Sequence, residues 1–177
     1  MKKINLLLAV LVCGCTAFAG DLYDDMASTP ELLKKWQGNL KVVKLLPNGG
    51  PEGKYAVEIN CDKNTQYGII RFNLPVNKVK GKKVEISAKI KAENVATVKK
   101  VNFVGVKFML FVQTADGKRF YPEGASVIKS RTGSYDWKEV ETKFAIPANA
   151  TIARVELGLQ EASGKVLFSD IDVEIED

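Results

Sequence analysis

Three segments of this chain put chemically versatile side chains at every second position: Tyr67, Ile69, Arg71 and Asn73; Lys107, Met109, Phe111 and Gln113; and Arg154, Glu156, Gly158 and Gln160. The residues between them are apolar: Ile70, Phe72 and Leu74; Val106, Phe108, Leu110 and Val112; and Val155, Leu157 and Leu159. A period of two is the repeat of a β-strand, whose successive side chains face opposite ways. One face of each strand therefore belongs to a core, and the other mixes aromatic, amide, guanidinium and carboxylate groups. That mixture suits a sugar, whose CH faces stack on aromatic rings while its hydroxyls need fixed donors and acceptors. The same residues also fit the plain outer sides of strands, with Met109 and Phe111 covered by loops, and the pattern does not choose between the two.

Catalysis has little to draw on. Histidine is absent, which removes Ser-His-Asp and Cys-His chemistry and the commonest transition-metal ligand. Glycoside hydrolysis needs two carboxyls about 5 to 9.5 Å apart. Glu156 is the only acid placed on the mixed faces, and Asp170/Asp172 and Glu139/Glu141 read as surface pairs on their strands. Arg71, Lys107 and Arg154 point to tolerance for acidic sugars, whereas Glu156 argues against a purely cationic site. The chain reads as a binder, not an enzyme.

The elements that must position these groups follow from the patterning. Ser28 to Trp36 predicts one short helix, with a hydroxyl cap before Pro30 at the first helical position, acid early and base late. Period-two segments then predict eight strands: Lys41–Leu45, Lys54–Asn60, Gln66–Leu74, Lys82–Ala92, Phe103–Thr114, Trp137–Ile146, Ile152–Gln160 and Lys165–Ile175, with turn clusters such as Asn48-Gly49-Gly50 and Asp116-Gly117 between strands. Eight strands without a long helix predict an all-β fold, a two-sheet antiparallel jelly-roll sandwich with one short N-terminal helix. Val84, Ile86, Ala88 and Ile90, and Val140, Thr142, Phe144 and Ile146, belong to its core.

Residues 1–19 have the form of a secretion signal: Lys2 and Lys3, an apolar stretch from Ile4 to Val12, and Ala17-Phe18-Ala19 as a cleavage site. The stretch falls short of the roughly 20 apolar residues of a membrane span. Val12-Cys13-Gly14-Cys15 resembles a lipobox, which offers Cys15 as a lipid-anchored terminus; cleavage after Ala19 is preferred because Cys13 departs from the usual lipobox residue. The expectation is an exported protein, with residues 20–177 as one domain. Cys61 is then the lone cysteine, which excludes an internal disulfide. Of 26 basic residues, 24 remain after loss of Lys2 and Lys3, against 21 acidic ones. So small an excess, scattered among acids, gives no basis for a nucleic-acid partner.

The segment 133–175, through Asp136-Trp137-Lys138, Phe144-Ala145-Ile146-Pro147 and Phe168-Ser169-Asp170, resembles carbohydrate-binding modules of families 4 and 9, galactose-binding-like jelly rolls. Gly53-Lys54-Tyr55 and the segment 81–93 match the same family, so the resemblance spans about residues 36–177. It implies a polysaccharide or oligosaccharide partner. Gln66-Tyr67-Gly68 is similar to the family's glycan-stacking tyrosine, and Lys107 and Glu156 fall on its basic and polar cleft positions. Arg71, Phe111, Gln113 and Gln160 join them through the facing argument, with Tyr121 as a loop-edge candidate; Trp36 and Trp137 read as structural. The resemblance also implies a structural Ca2+ held by Asp170 and an acid near the start of the domain, Asp25 or Asp24, although Ser169 replaces a further family Asp. The expected function is a non-catalytic glycan-binding module, secreted or at the cell surface. The alternatives are an envelope β-sandwich that binds protein and, last, a glycoside-active jelly roll.

Overall fold

Branched residues alternating with polar ones, interrupted by Gly, Asn, Asp and Pro, produce eleven strands, three single-turn α-helices and two 3-10 turns over the residues described by the computed structural model, 20–64, 67–99 and 101–176. Residues 1–19, read above as a secretion signal and holding Cys13 and Cys15, and Gln66 lie outside these residues. The elements are β1 (Gly20–Tyr23), α1 (Pro30–Leu33), β2 (Gln37–Gly38), β3 (Val43–Leu46), β4 (Ala56–Cys61), β5 (Tyr67–Asn73), α2 (Val76–Val79), β6 (Lys83–Thr97), β7 (Gly105–Thr114), β8 (Arg119–Phe120), α3 (Ala125–Ile128), β9 (Gly133–Ala145), β10 (Ala150–Gln160) and β11 (Ala162–Glu176). No helix among them is long and apolar enough to cross a membrane.

Two antiparallel sheets face each other. One runs β3-β4-β11-β6-β9, with β1 also paired to β11; the other runs β2-β5-β10-β7-β8. Their inner faces interlock as alternation requires. Val84, Ile86, Ala88 and Ile90 from β6 and Val166 and Phe168 from β11 are buried with Val106, Phe108, Leu110, Val155, Leu157 and Leu159 from the second sheet. Phe108 and Phe168 join the layers, with ring centroids 6.3 Å apart. The jelly-roll sandwich expected from the sequence is the fold observed.

Local departures have local causes. The helix is one turn instead of nine residues: Thr29 Oγ1 accepts from the Leu32 N–H at 3.2 Å, as a cap should, but Trp36 is drawn into the core, where its Nε1 donates to the Met26 carbonyl. β6 continues past Ala92 to Thr97, and β9 begins at Gly133, because bulges near Ala92 and Val95 let the pair resume beyond the point where alternation breaks. β1, β2 and β8 are too short for a period to register. Cys61 is buried, and burial pushes its thiol up to about 11, so it behaves as a small apolar side chain.

Candidate functional site

The second sheet carries a cleft of about 510 Å3 on its outer face. Three central strands supply its floor in register: Arg71 of β5 lies opposite Glu156 of β10, which lies opposite Met109 of β7, and Gly158 of β10 lies between Ile69 and Lys107. Gly158 has φ +134°, and a Cβ there would fall 1.9 Å from the Gly68 carbonyl oxygen, so the strands pack this closely only around glycine. Tyr67, Phe103 and Tyr121 stand at the rim, each just over half exposed.

Five of the seven sequence-predicted ligand residues line this cleft: Tyr67, Arg71, Lys107, Glu156 and Gln160. Phe111 and Gln113 do not. The reason is β8 and the segment after it, which fold over the far half of β7. Tyr121 packs edge-on against Phe111 with centroids 5.3 Å apart, and the Arg154 guanidinium lies 4.1 Å over the Phe111 ring, leaving it 6 % exposed. Gln113 pairs with Arg119 at the end of the strand. Phe111 thus supports the Arg154 and Tyr121 side chains from beneath.

Sequence reasoning missed Phe103 and Glu123 as cleft residues, while Met109, placed on the mixed face, lines the floor. Glu123 corrects the expectation that Glu156 is the only acid there: an isolated bridge between Met109 and Glu123 brings a loop carboxylate onto the strand face. Lys107 Nζ donates to both Glu123 oxygens, at 3.2 and 3.3 Å, and Arg131 Nη2 donates to Oε2 at 2.6 Å. All three side chains are about nine-tenths buried or more. Burial pulls the Lys107 ammonium below its ordinary value, partly opposed by Glu123. No period reveals this triad, because Glu123 and Arg131 lie outside the strands.

The other charges in the cleft are arranged as definitely. Arg154 Nε donates to Glu156 Oε1 at 2.5 Å. Tyr67 donates its hydroxyl to Glu161 Oε1 at 2.6 Å, and Glu161 also pairs with Lys99. The bond to Glu161 lifts the Tyr67 phenol above its ordinary value and fixes the orientation of the ring at the cleft edge. Trp36 is core, and Trp137, half-buried on β9, lines none of the cleft.

Asp25 and Asp170, expected to hold calcium, do come together, with Asp24 and Asp172, in a second concavity on the first sheet. Its anchor is the chain itself: the Asp25 N–H donates to Asp172 Oδ1 at 2.7 Å and the Met26 N–H to the Ile171 carbonyl at 2.8 Å. Asp170, at φ +50°, meets Lys54 Nζ at 2.8 Å and Lys89 Nζ at 2.9 Å, one on each oxygen. Burial raises the Asp170 carboxyl, but the two lysines outweigh it and hold it below its ordinary value. Ser169 spends its hydroxyl on the Tyr55 carbonyl at 2.8 Å. Calcium requires six to eight converging oxygens, and among the described residues no three acidic side chains are placed to hold a metal. In this arrangement Lys54 and Lys89 balance the Asp170 charge.

No family model and no curated protein matches the chain. Solved structures do. The CBM22-1 xylan-binding domain of Paenibacillus barcinonensis Xyn10C superposes with a TM-score of 0.59 at 14 % identity over 89 % of this chain and 95 % of that one. The C-terminal family 22 carbohydrate-binding module of Clostridium thermocellum Xyn10B gives 0.57 at 13 % identity, over 88 % and 93 %. A family 16 carbohydrate-binding module gives 0.54 at 12 % identity, over 80 % and 90 %. The fold is shared with carbohydrate-binding modules of families 22 and 16. Identities this low establish the fold alone.

Proposed function

We propose that this chain is a non-catalytic glycan-binding module that takes a polysaccharide chain across the cleft of the second sheet, as an exported protein. The observation that carries the reading is the rim: Tyr67, Phe103 and Tyr121 expose rings around a floor of Ile69 and Met109, into which Arg71, Glu123, Glu156 and Gln160 project. Stacking surfaces around polar groups match the two faces of a sugar ring. Structural neighbours whose names declare xylan binding make xylans the first polymers to try.

Binding is favoured over hydrolysis by the state of the carboxylates. Both Glu123 oxygens and Glu156 Oε1 are already held by cations, a fixed arrangement that suits a binding surface.

Affinity electrophoresis against xylans and β-glucans tests the proposal. At least one polymer should retard the protein, and Tyr67→Ala, Phe103→Ala or Tyr121→Ala should each weaken retention, by roughly thirtyfold for a true anchor worth about 2 kcal/mol. Trp137→Ala should leave retention unchanged. Unaltered mobility across the panel would sink the reading.

A further inference from the structure

Within the glycan cleft just proposed, and resting on that reading, we infer that Arg71 is a specificity determinant for acidic glycans, those carrying uronic-acid carboxylates.

Five cations stand in or beside the cleft, Arg71, Lys99, Lys107, Arg131 and Arg154, against three carboxylates, Glu123, Glu156 and Glu161. Four of the cations are committed. Lys107 and Arg131 share Glu123, Arg154 takes Glu156 and Lys99 takes Glu161. Arg71 makes no ion pair among the described residues, although Glu156 is its direct cross-strand neighbour on β10, because Arg154 has engaged that carboxylate from two residues away on the same strand. The Arg71 Nε is buried and has no hydrogen-bond partner. An unmet buried donor is unfavourable unless a ligand supplies the acceptor.

The surroundings suit an anion. Ile69 and Met109 make the nearby floor apolar, which strengthens the interaction between a charge and its partner. A guanidinium offers parallel N–H groups that match a carboxylate in two-point geometry. Arg71 and Arg154 also line a shallower groove that continues past Asn73 and Thr151. A chain seated in the main cleft can therefore direct a charged side group, or a charged ring, over this divide.

The test compares polymers that differ in charge alone. Glucuronoxylan and polygalacturonate are each assayed beside their own carboxyl-reduced form by isothermal calorimetry and affinity electrophoresis. The acidic form should bind about tenfold more tightly than its reduced partner, the range expected of one charge-assisted pair. That preference should shrink between about 20 and about 300 mM salt. Arg71→Gln should bring the ratio close to one, and Arg71→Lys, which keeps the charge but loses the fork, should leave it intermediate. Equal binding of both forms by the unaltered protein overturns the inference and leaves the glycan reading standing. A preference insensitive to salt, or one that persists in Arg71→Gln, overturns it too. If neither these polymers nor the wider panel bind, the glycan reading itself fails.

Discussion

Substituting Glu123 by glutamine probes whether the cleft is held by the buried triad. Glu123 is the single anion between Lys107 and Arg131, and the three side chains are 4, 10 and 11 % exposed in the order Lys107, Glu123, Arg131. Removing one partner of a buried ion pair costs about 3 to 5 kcal/mol, since the remaining charge keeps its desolvation penalty. Gln retains one acceptor oxygen and Arg131 is slightly open to water, so the lower end applies, about 3 kcal/mol. For a domain of this size that is a fall in Tm of about 6 to 12 °C. Lys107→Met, which leaves the Glu123–Arg131 pair intact, should cost less. The double variant Lys107→Met/Glu123→Gln should be more stable than the two single losses combined, with a coupling of about 1 to 2 kcal/mol. Differential scanning calorimetry over pH supplies the sign. The folded Lys107 ammonium is already below its ordinary value through burial, and Glu123 opposes that lowering. Without Glu123 it falls further, so at alkaline pH the lysine sheds its proton in the folded state and the deficit of Glu123→Gln shrinks. A loss under about 2 °C, or strict additivity in the double variant, would refute the triad as a structural unit.

Two further outcomes follow from backbone and charge. Gly158→Ala should reduce Tm by more than about 10 °C or abolish folding, because the new Cβ meets backbone and the residue has φ +134°; a near-native melt would mean that β5 and β10 can separate at little cost. Asp25→Asn should raise Tm at pH 7 and not at pH 3. Burial, then the charges of Asp170 and Asp172, raise the Asp25 carboxyl above its ordinary value, so its ionised form opposes folding; the stability it confers when protonated is lost as pH rises through the folded pKa. Asparagine is neutral and tolerates the φ of +41° at this position. A Tm that falls at pH 7 would reveal a cation bound to the Asp25 carboxylate, and a rise in Tm on adding Ca2+ would identify it.

The fold was legible because burial on one face of a strand writes itself as alternation. Every residue assigned to the core face of β6, β7 and β10 is buried, and the eight expected strands all form, the first over Val43–Leu46 after a 3-10 turn at Leu40–Val42. The cleft was legible only where its residues sit on strands, as Tyr67, Arg71, Lys107, Glu156 and Gln160 do. Phe111 and Gln113 obey the same alternation and still miss the cleft, since a facing pattern says which side a residue takes but not whether β8 and Tyr121 then cover it. Phe103, Glu123, Arg131 and Glu161 reach the site from loops and strand ends, where no period applies. The bond from Tyr67 to Glu161 spans 94 residues of sequence, a distance that no local pattern encodes.

The two outer faces of the sandwich show why alternation could mark a site without identifying it. On the first sheet the outward residues are charged as well, but the register sets opposite signs together: Lys143 with Glu85 at 2.8 Å, Lys165 with Glu93 at 2.7 Å, Lys89 with Asp170 at 2.9 Å. The charges there satisfy one another, half in water, and such pairs contribute little. On the second sheet the ion pairs are buried beside Ile69 and Met109, the exposed aromatics stand above them, and one guanidinium remains over. Both faces read as alternate polar residues in one dimension. What separates them is which strand neighbours which, a property of the register across β5, β10 and β7. On the proposed reading, a ligand gains most where the protein's own pairing is left incomplete, and among the described residues of this cleft that place is Arg71.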